Sequence, residues 1–174
     1  MLKGLKRKEI IDLAIEDNIY QVETKTQAKK IANTTYKRLN SLPESLLHVV
    51  VNSDIATSKI IILISIMKTD NLFFEFMFNV FRNNIILGSY SIKDSDINNF
   101  FHDKRIQSDV VDKWSDSTIK KLKSRYLTVI NFAGLLKENS KKREIIVPFI
   151  DYKIKQQLLD NDMGPYIYAV TGEK

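Results

Sequence analysis

The side chains with the best claim to chemistry in this 174-residue sequence are cationic and hydroxylic, and they lie close together. Residues 117–143 hold eight basic residues against one acid, Glu138, while the flanking stretches 89–116 and 144–174 are each net −2. A second stretch, 24–43, carries five positive charges and no acid, and the first eight residues add four more. The whole chain is +6 with a pI of about 9.3, a modest excess whose distribution says more than its size. Charge segregated in this way is what a polyanion-binding surface needs, because a field of one sign gathers a ligand of the other.

Groups that could support catalysis are scarce. Cysteine is absent, which excludes disulfides, thiolate zinc sites, iron–sulfur clusters and a cysteine nucleophile, and fits a reducing, cytoplasmic setting. His48 and His102 are far apart. His48 lies among Leu46, Leu47, Val49 and Val50 and reads as a core or boundary residue, while His102-Asp103 has no nucleophile elbow to serve. The pair Asp94-Ser95-Asp96 could hold a metal, but acids at a helix start answer the helix dipole and explain it better. Asp151-Tyr152-Lys153 mimics the end of a nuclease motif. That chemistry needs a further strand-borne carboxylate to share Mg²⁺, and Asp151 opens a helix. The five glycines stand singly, so neither a P-loop nor a dinucleotide fingerprint can be written. The expectation is a protein that is not an enzyme, with no metal, no cofactor and no small-molecule ligand.

The elements that must position the basic residues are helices. Ile10, Leu13 and Ala14 fall on helical spacing within 6–17, and Ala28, Ile31, Ala32, Thr35, Tyr36 and Leu39 within 26–40, with Lys29, Lys30 and Lys37 opposite and Arg38 on the flank. Thr24 or Thr26 can cap the second of these. A short helix over 44–52 and another from Asp54 through Lys68 follow. Residues 71–84 are apolar nearly all round, which predicts a central, buried helix. The run Ile60–Met67 is bracketed by Lys59 and Lys68 and followed by Asp70, Glu75 and Arg82, so no stretch approaches the roughly 20 apolar residues a bilayer span requires. The first residues lack the apolar run of a signal peptide. Neither a membrane nor a secretory route is expected.

The pattern breaks around Gly88, the expected boundary between a helical bundle (1–88) and a second domain (89–174). Helices carrying Ile97, Phe100 and Phe101, then Val110, Val111 and Trp114, lead to the best-signalled one. Ser115 caps it, its stripe is Ile119, Leu122, Tyr126, Val129, Ile130 and Ala133, and Gly134 stops it. Trp114 and Tyr126 read as core. Leu135-Leu136 and Ile145-Ile146-Val147, joined by a polar turn and closed by Pro148, predict a β-hairpin. A helix over 151–162 and an extended tail complete the chain.

Three helices and a hairpin are the order of a winged helix-turn-helix, so the fold expected is mainly α with a helical bundle followed by that domain and its one β-hairpin. On the helix after Ser115, Lys120, Lys121, Ser124, Thr128 and Asn131 project away from the stripe, with Arg125 on its shoulder. Such a helix fits the B-DNA major groove and offers donors to bases and phosphates. Ser117 and Thr118 add hydroxyls and free N–H groups at its start. Lys141, Lys142 and Arg143 at the hairpin tip could then reach an adjacent backbone, while Lys29, Lys30 and Lys37 offer a second surface, suited to DNA or RNA. An adaptor whose basic faces meet an acidic protein partner is the competing class.

Trp114-Ser115-Asp116-Ser117-Thr118, Leu122 through Gly134-Leu135-Leu136, the hairpin, Ile150–Leu159, and the earlier Thr34–Leu39 with Leu42-Pro43-Glu44 carry a resemblance. With these, nearly the whole chain resembles the BrxA family of BREX phage-defence systems. The resemblance implies a small, mostly helical, double-stranded DNA-binding protein of a phage-restriction operon that also supplies a methyltransferase, an ATPase and a phosphatase-like partner. It also allows an RNA-binding, antitermination-factor-like helical fold. Some members of the family carry an inner-membrane label, which the charges bracketing Ile60–Met67 contradict.

Overall fold

Side-chain caps set where the helices begin. Thr24 Oγ1 accepts the Gln27 N–H at 3.2 Å, and Asp54 and Asp70 carboxylates accept those of Thr57 (3.0 Å) and Phe73 (3.1 Å). Ser115 and Asp151 do the same for Thr118 (3.3 Å) and Lys153 (2.8 Å). Each satisfies a donor that the first helical turn leaves orphaned. The structure is a computed structural model that describes residues 6–137 and 142–173, and those residues are mainly helical. In order they form α1 (Arg7–Glu16), α2 (Lys25–Asn40), α3 (Glu44–Asn52), α4 (Ile55–Thr69) and α5 (Asn71–Phe76). A π-helical segment, Met77–Phe81, runs on into α6 (Arg82–Ile86). Then come α7 (Asp94–Gln107), α8 (Asp109–Asp112), α9 (Asp116–Phe132), α10 (Tyr152–Leu159) and α11 (Gly164–Thr171).

One buried cluster runs from Leu42 to Val170 and draws on both sides of Gly88. At its centre lie α4 and the α5–π–α6 rod, whose Phe73, Phe76, Met77 and Phe81 are at most 1% exposed. Each such side chain contributes about 1.5–3 kcal/mol by leaving water. The π segment widens one turn of this rod, a feature that a stripe of apolar residues does not announce. The pair α1–α2 closes a smaller core of Ile10, Ala14, Ala28 and Ala32, where small residues let two helices approach closely, and α2 packs on α4. Among the described residues no helix is long and apolar enough to cross a membrane.

Three expectations require correction. The β-hairpin does not form as strands among the described residues. Leu136 pairs with Ile145 and Ser91 with Glu144 in isolated antiparallel bridges, so three short segments meet over about one residue each. The ladder is cut on every side. Gly134, Tyr90 and Arg143 have positive φ (+78°, +45° and +48°), and Pro148 has no N–H to donate. The last residues are not extended: α11 starts with Pro165 in its first turn and stops at Gly172 in the left-handed region, φ +78°. That is the usual proline-in, glycine-out grammar of a helix. Finally, His48 faces outward beside Glu44 (3.9 Å), its side chain 54% exposed, because Leu46 takes the inward position of α3. The capping readings stand: Asp96 accepts the Lys93 N–H at 2.9 Å, placing the Asp94–Asp96 acids at a helix start.

Candidate nucleic-acid interface

Tyr126 fixes how α9 is rolled. Its ring packs 4.9 Å from Phe73, 5.4 Å from Phe76 and 6.0 Å from Phe101, centroid to centroid, and it is 2% exposed. The Asp70 carboxylate lies near its hydroxyl, and burial, reinforced by that negative charge, pushes the phenol well above its ordinary range. Ile119 and Ile130 are buried on the same side, a turn or two away. The start of α9 is pinned as well: Arg105 of α7 pairs with Asp116 at 2.7 Å and donates to the Trp114 carbonyl at 3.0 Å. Trp114 packs half-buried against the core.

With that roll fixed, Ser117, Thr118, Lys120, Lys121, Ser124, Arg125 and Thr128 are all exposed. Among the described residues, Lys120, Lys121 and Arg125 make no ion pair. The hydroxyls are partly engaged within the helix. Ser115 Oγ lies 2.9 Å from Ser117 Oγ and 3.0 Å from Thr118 Oγ1, and Thr128 donates to the Ser124 carbonyl at 2.9 Å. They retain lone pairs but are less free than their spacing suggests.

Lys123, which the expected set leaves out, is tied down: it donates to Asn98 Oδ1 at 2.6 Å and sits 5.6 Å from the Phe101 ring centre. A shallow cleft of about 340 Å³ between α7 and α9 is lined by Lys120, Lys123, Arg105 and His102.

The expected hairpin tip divides. Lys141 lies outside the described residues, and Lys142 is exposed. Arg143 is a strut of the fold: it pairs with Asp94 at 2.7 Å and donates to the Ile92 carbonyl at 3.4 Å. On α2, Lys29 and Lys30 are exposed, and Lys37 lines an open cleft of about 840 Å³ together with Arg7, Arg38 and Arg125. The structure therefore brings Lys37 and Arg125 together, from opposite halves of the sequence. Arg7 and Arg38 stand outside the expected binding set, although both belong to the basic runs that the charge pattern marks.

Two comparisons with known proteins name one family. The curated "BREX protein BrxA" of Bacillus cereus (strain H3081.97) is 39% identical over 171 residues, spanning 98% of this chain and 86% of that protein. A crystal structure of an uncharacterized protein from Magnetospirillum magneticum superposes with a TM-score of 0.81 over 99% of this chain and 87% of that one. At 16% identity it speaks for the fold alone. The family model described as BrxA matches residues 1–162, and with these matches the chain belongs to the BrxA family.

Proposed function

We propose that this protein is a non-catalytic, double-stranded DNA-binding component of a BREX-type phage-defence system, acting beside other BREX subunits. Family membership and the name of the Bacillus cereus relative support the BREX assignment. The observation that carries DNA binding is the outer face of α9. Lys120 and Lys121 are exposed and unpaired among the described residues, on a helix whose roll Tyr126 fixes. Cations that the fold leaves without carboxylates are the ones whose counterions a phosphate backbone can displace.

The order α7, α8, α9 is the helix order of a winged helix-turn-helix, and we read 89–174 as such a domain, its wing reduced to a single bridge between Leu136 and Ile145. In it α9 lies in the major groove and Lys142 approaches the neighbouring backbone. The helical bundle before Gly88 adds Lys29, Lys30 and Lys37 as a second basic surface. A protein-adaptor reading has its own support in Phe149 and Tyr152, 91% and 75% exposed on the approach to α10. The two readings are compatible if that apolar edge meets a BREX subunit while α9 meets DNA.

The test is a salt titration of binding to duplex DNA, single strands and structured RNA side by side. The proposal expects the duplex to bind tightest, with affinity falling steeply and log-linearly with salt. Undetectable duplex binding at low salt, or binding indifferent to salt, would refute it. Preference for structured RNA would transfer the reading to the antitermination-like alternative, since A-form RNA hides its major groove from a helix.

A further inference from the structure

We infer that the cleft where α2 faces α9 is a phosphate-binding site, built from Arg7, Lys37, Arg38 and Arg125 and occupied by the sugar-phosphate backbone of a bound nucleic acid. The inference rests on the proposed DNA-binding reading but concerns a different surface from the outer face of α9.

The cleft is about 840 Å³, open to solvent, and ample for a stretch of phosphodiester. Its walls come from distant parts of the chain: Arg7 from α1, Lys37 and Arg38 from α2, the Thr69–Asn71 corner between α4 and α5, and Arg125 from α9. Arg38 is half-buried, and burial and the nearby Arg125 charge both disfavour its charged form, with Asp70 opposing. A guanidinium cannot escape by losing its proton at any physiological pH, so half-buried Arg38 beside the exposed Arg125 favours an anion.

Asp70 meets only part of that demand. Among the described residues, no carboxylate pairs with Arg7, Lys37, Arg38 or Arg125. The acids nearby have other partners: Asp70 accepts from the Phe73 N–H, and Glu75 pairs with Lys104 at 2.7 Å. Arg7 is held in place by a forked pair of hydrogen bonds to Asn33 Oδ1, at 2.8 and 2.6 Å, rather than by a charge. Four cations against one occupied carboxylate make a site that prefers a phosphate oxyanion, and arginine forks match phosphate geometry.

The position of Arg125 gives the cleft its role. It is exposed on α9, the helix that carries Lys120 and Lys121, and it also lines the cleft, so a backbone that contacts both surfaces can meet it. A strand seated there crosses from one basic run of the sequence to the other.

The experiment uses the full chain as wild type, Arg38→Gln, Arg38→Lys and Arg7→Gln. Duplex DNA binding is followed across salt, and thermal unfolding is followed in chloride and in inorganic phosphate at matched ionic strength. Arg38→Gln is expected to weaken duplex binding about tenfold and to lower the log–log salt slope by about one. Arg38→Lys should restore the slope but only some of the affinity, since it keeps the charge and loses the fork. Phosphate should raise the wild-type unfolding temperature above its value in chloride, and should raise that of Arg38→Gln far less. In chloride, Arg38→Gln should unfold no lower than wild type, because it relieves an unpaired repulsion; a purely structural arginine would show the opposite. If Arg38→Gln fails to fold, the exposed Arg7→Gln carries the same slope and phosphate tests.

Wild-type affinity and slope in Arg38→Gln, or in Arg7→Gln where that variant stands in, would overturn the inference. Equal response to phosphate in wild type and variant would overturn it too. A wild type that binds no duplex yet is stabilised by phosphate through Arg38 would refute the DNA reading, and with it the backbone as occupant, while leaving a site for free phosphate groups.

Discussion

Replacing Lys120 and Lys121 together by alanine separates a DNA-binding α9 from a merely solvated one. Both side chains are exposed and neither has an ion pair among the described residues, so their removal leaves no acid stranded. Alanine is at least as good a helix former as lysine, so the unfolding midpoint should not fall. Every phosphate that loses its lysine should reduce the magnitude of the log–log salt slope by about 0.9, or about 1.8 for the pair. Between about 50 and 200 mM salt the variant should then lose about 12-fold less affinity than wild type does. The assay is fluorescence anisotropy with a labelled duplex, read beside thermal unfolding. Lys123→Ala is the internal control. It breaks the bond to Asn98 and the approach to the Phe101 ring, so it should cost about 0.5–1 kcal/mol of stability while leaving the slope alone. A wild-type slope in the double variant would refute the argument. So would a slope change as large in Lys123→Ala, since fold-engaged and free lysines would then count alike.

Three further outcomes test the framework that holds α9 in place. Tyr126→Ala removes the ring that packs on Phe73, Phe76 and Phe101, and should destabilise by about 3–5 kcal/mol in denaturant titration; an unchanged midpoint would discount that packing. Gly172→Ala meets Ile85 Cγ2 at 2.6 Å at a φ of +78°, whereas Gly134→Ala, also at +78°, meets nothing within 4 Å. The first should therefore lower the unfolding midpoint more than the second, by about 1–3 kcal/mol. The Asp54 carboxyl is held below its ordinary range, first by the Thr57 hydroxyl and next by the Thr57 N–H. A lowered folded-state value means the α4 cap is fully effective above the unfolded carboxylate value near about 4 and is lost as pH falls through the folded one. Asp54→Asn should flatten that region of the acid-denaturation profile, and an identical profile in the two proteins would deny the cap its share.

What could be read from the sequence followed from periods and caps. The stripe Ile119–Ala133 with Ser115 before it and Gly134 after it located α9, because burial on one face and satisfied end groups are both local demands. The hairpin misled for a reason that is not local. Leu135-Leu136 and Ile145-Ile146 have the composition of strands, but backbone turns at Tyr90, Gly134 and Arg143 leave room for single bridges only. The tail misled in the other direction: Pro165 and Gly172 frame α11, but the aromatic residues between them have the look of an extended segment. At the site, the basic runs were visible as runs, but which cations the fold itself consumes was not. The Arg143–Asp94 and Arg105–Asp116 pairs join residues far apart in sequence or across a turn, and the meeting of Arg38 with Arg125 joins α2 to α9.

That sorting of cations bears on how charge should be counted in a protein of this kind. Of the basic residues between 117 and 143, Lys123, Lys137 and Arg143 are spent on Asn98, Glu144 and Asp94. Lys120, Lys121 and Arg125 are not spent on any acid among the described residues. The net charge of a segment therefore overstates its share of an interface, while the unpaired remainder can be larger in space than in sequence. Arg125 shows why: on α9 it is one charge of several, but in the cleft it stands with Arg7, Lys37 and Arg38, from helices that the linear charge profile assigns elsewhere. A polyanion responds to that spatial remainder, since counterions are released only where a phosphate replaces them. Measured salt slopes should follow the unpaired cations on the joined surface, and not the basic content of any one stretch.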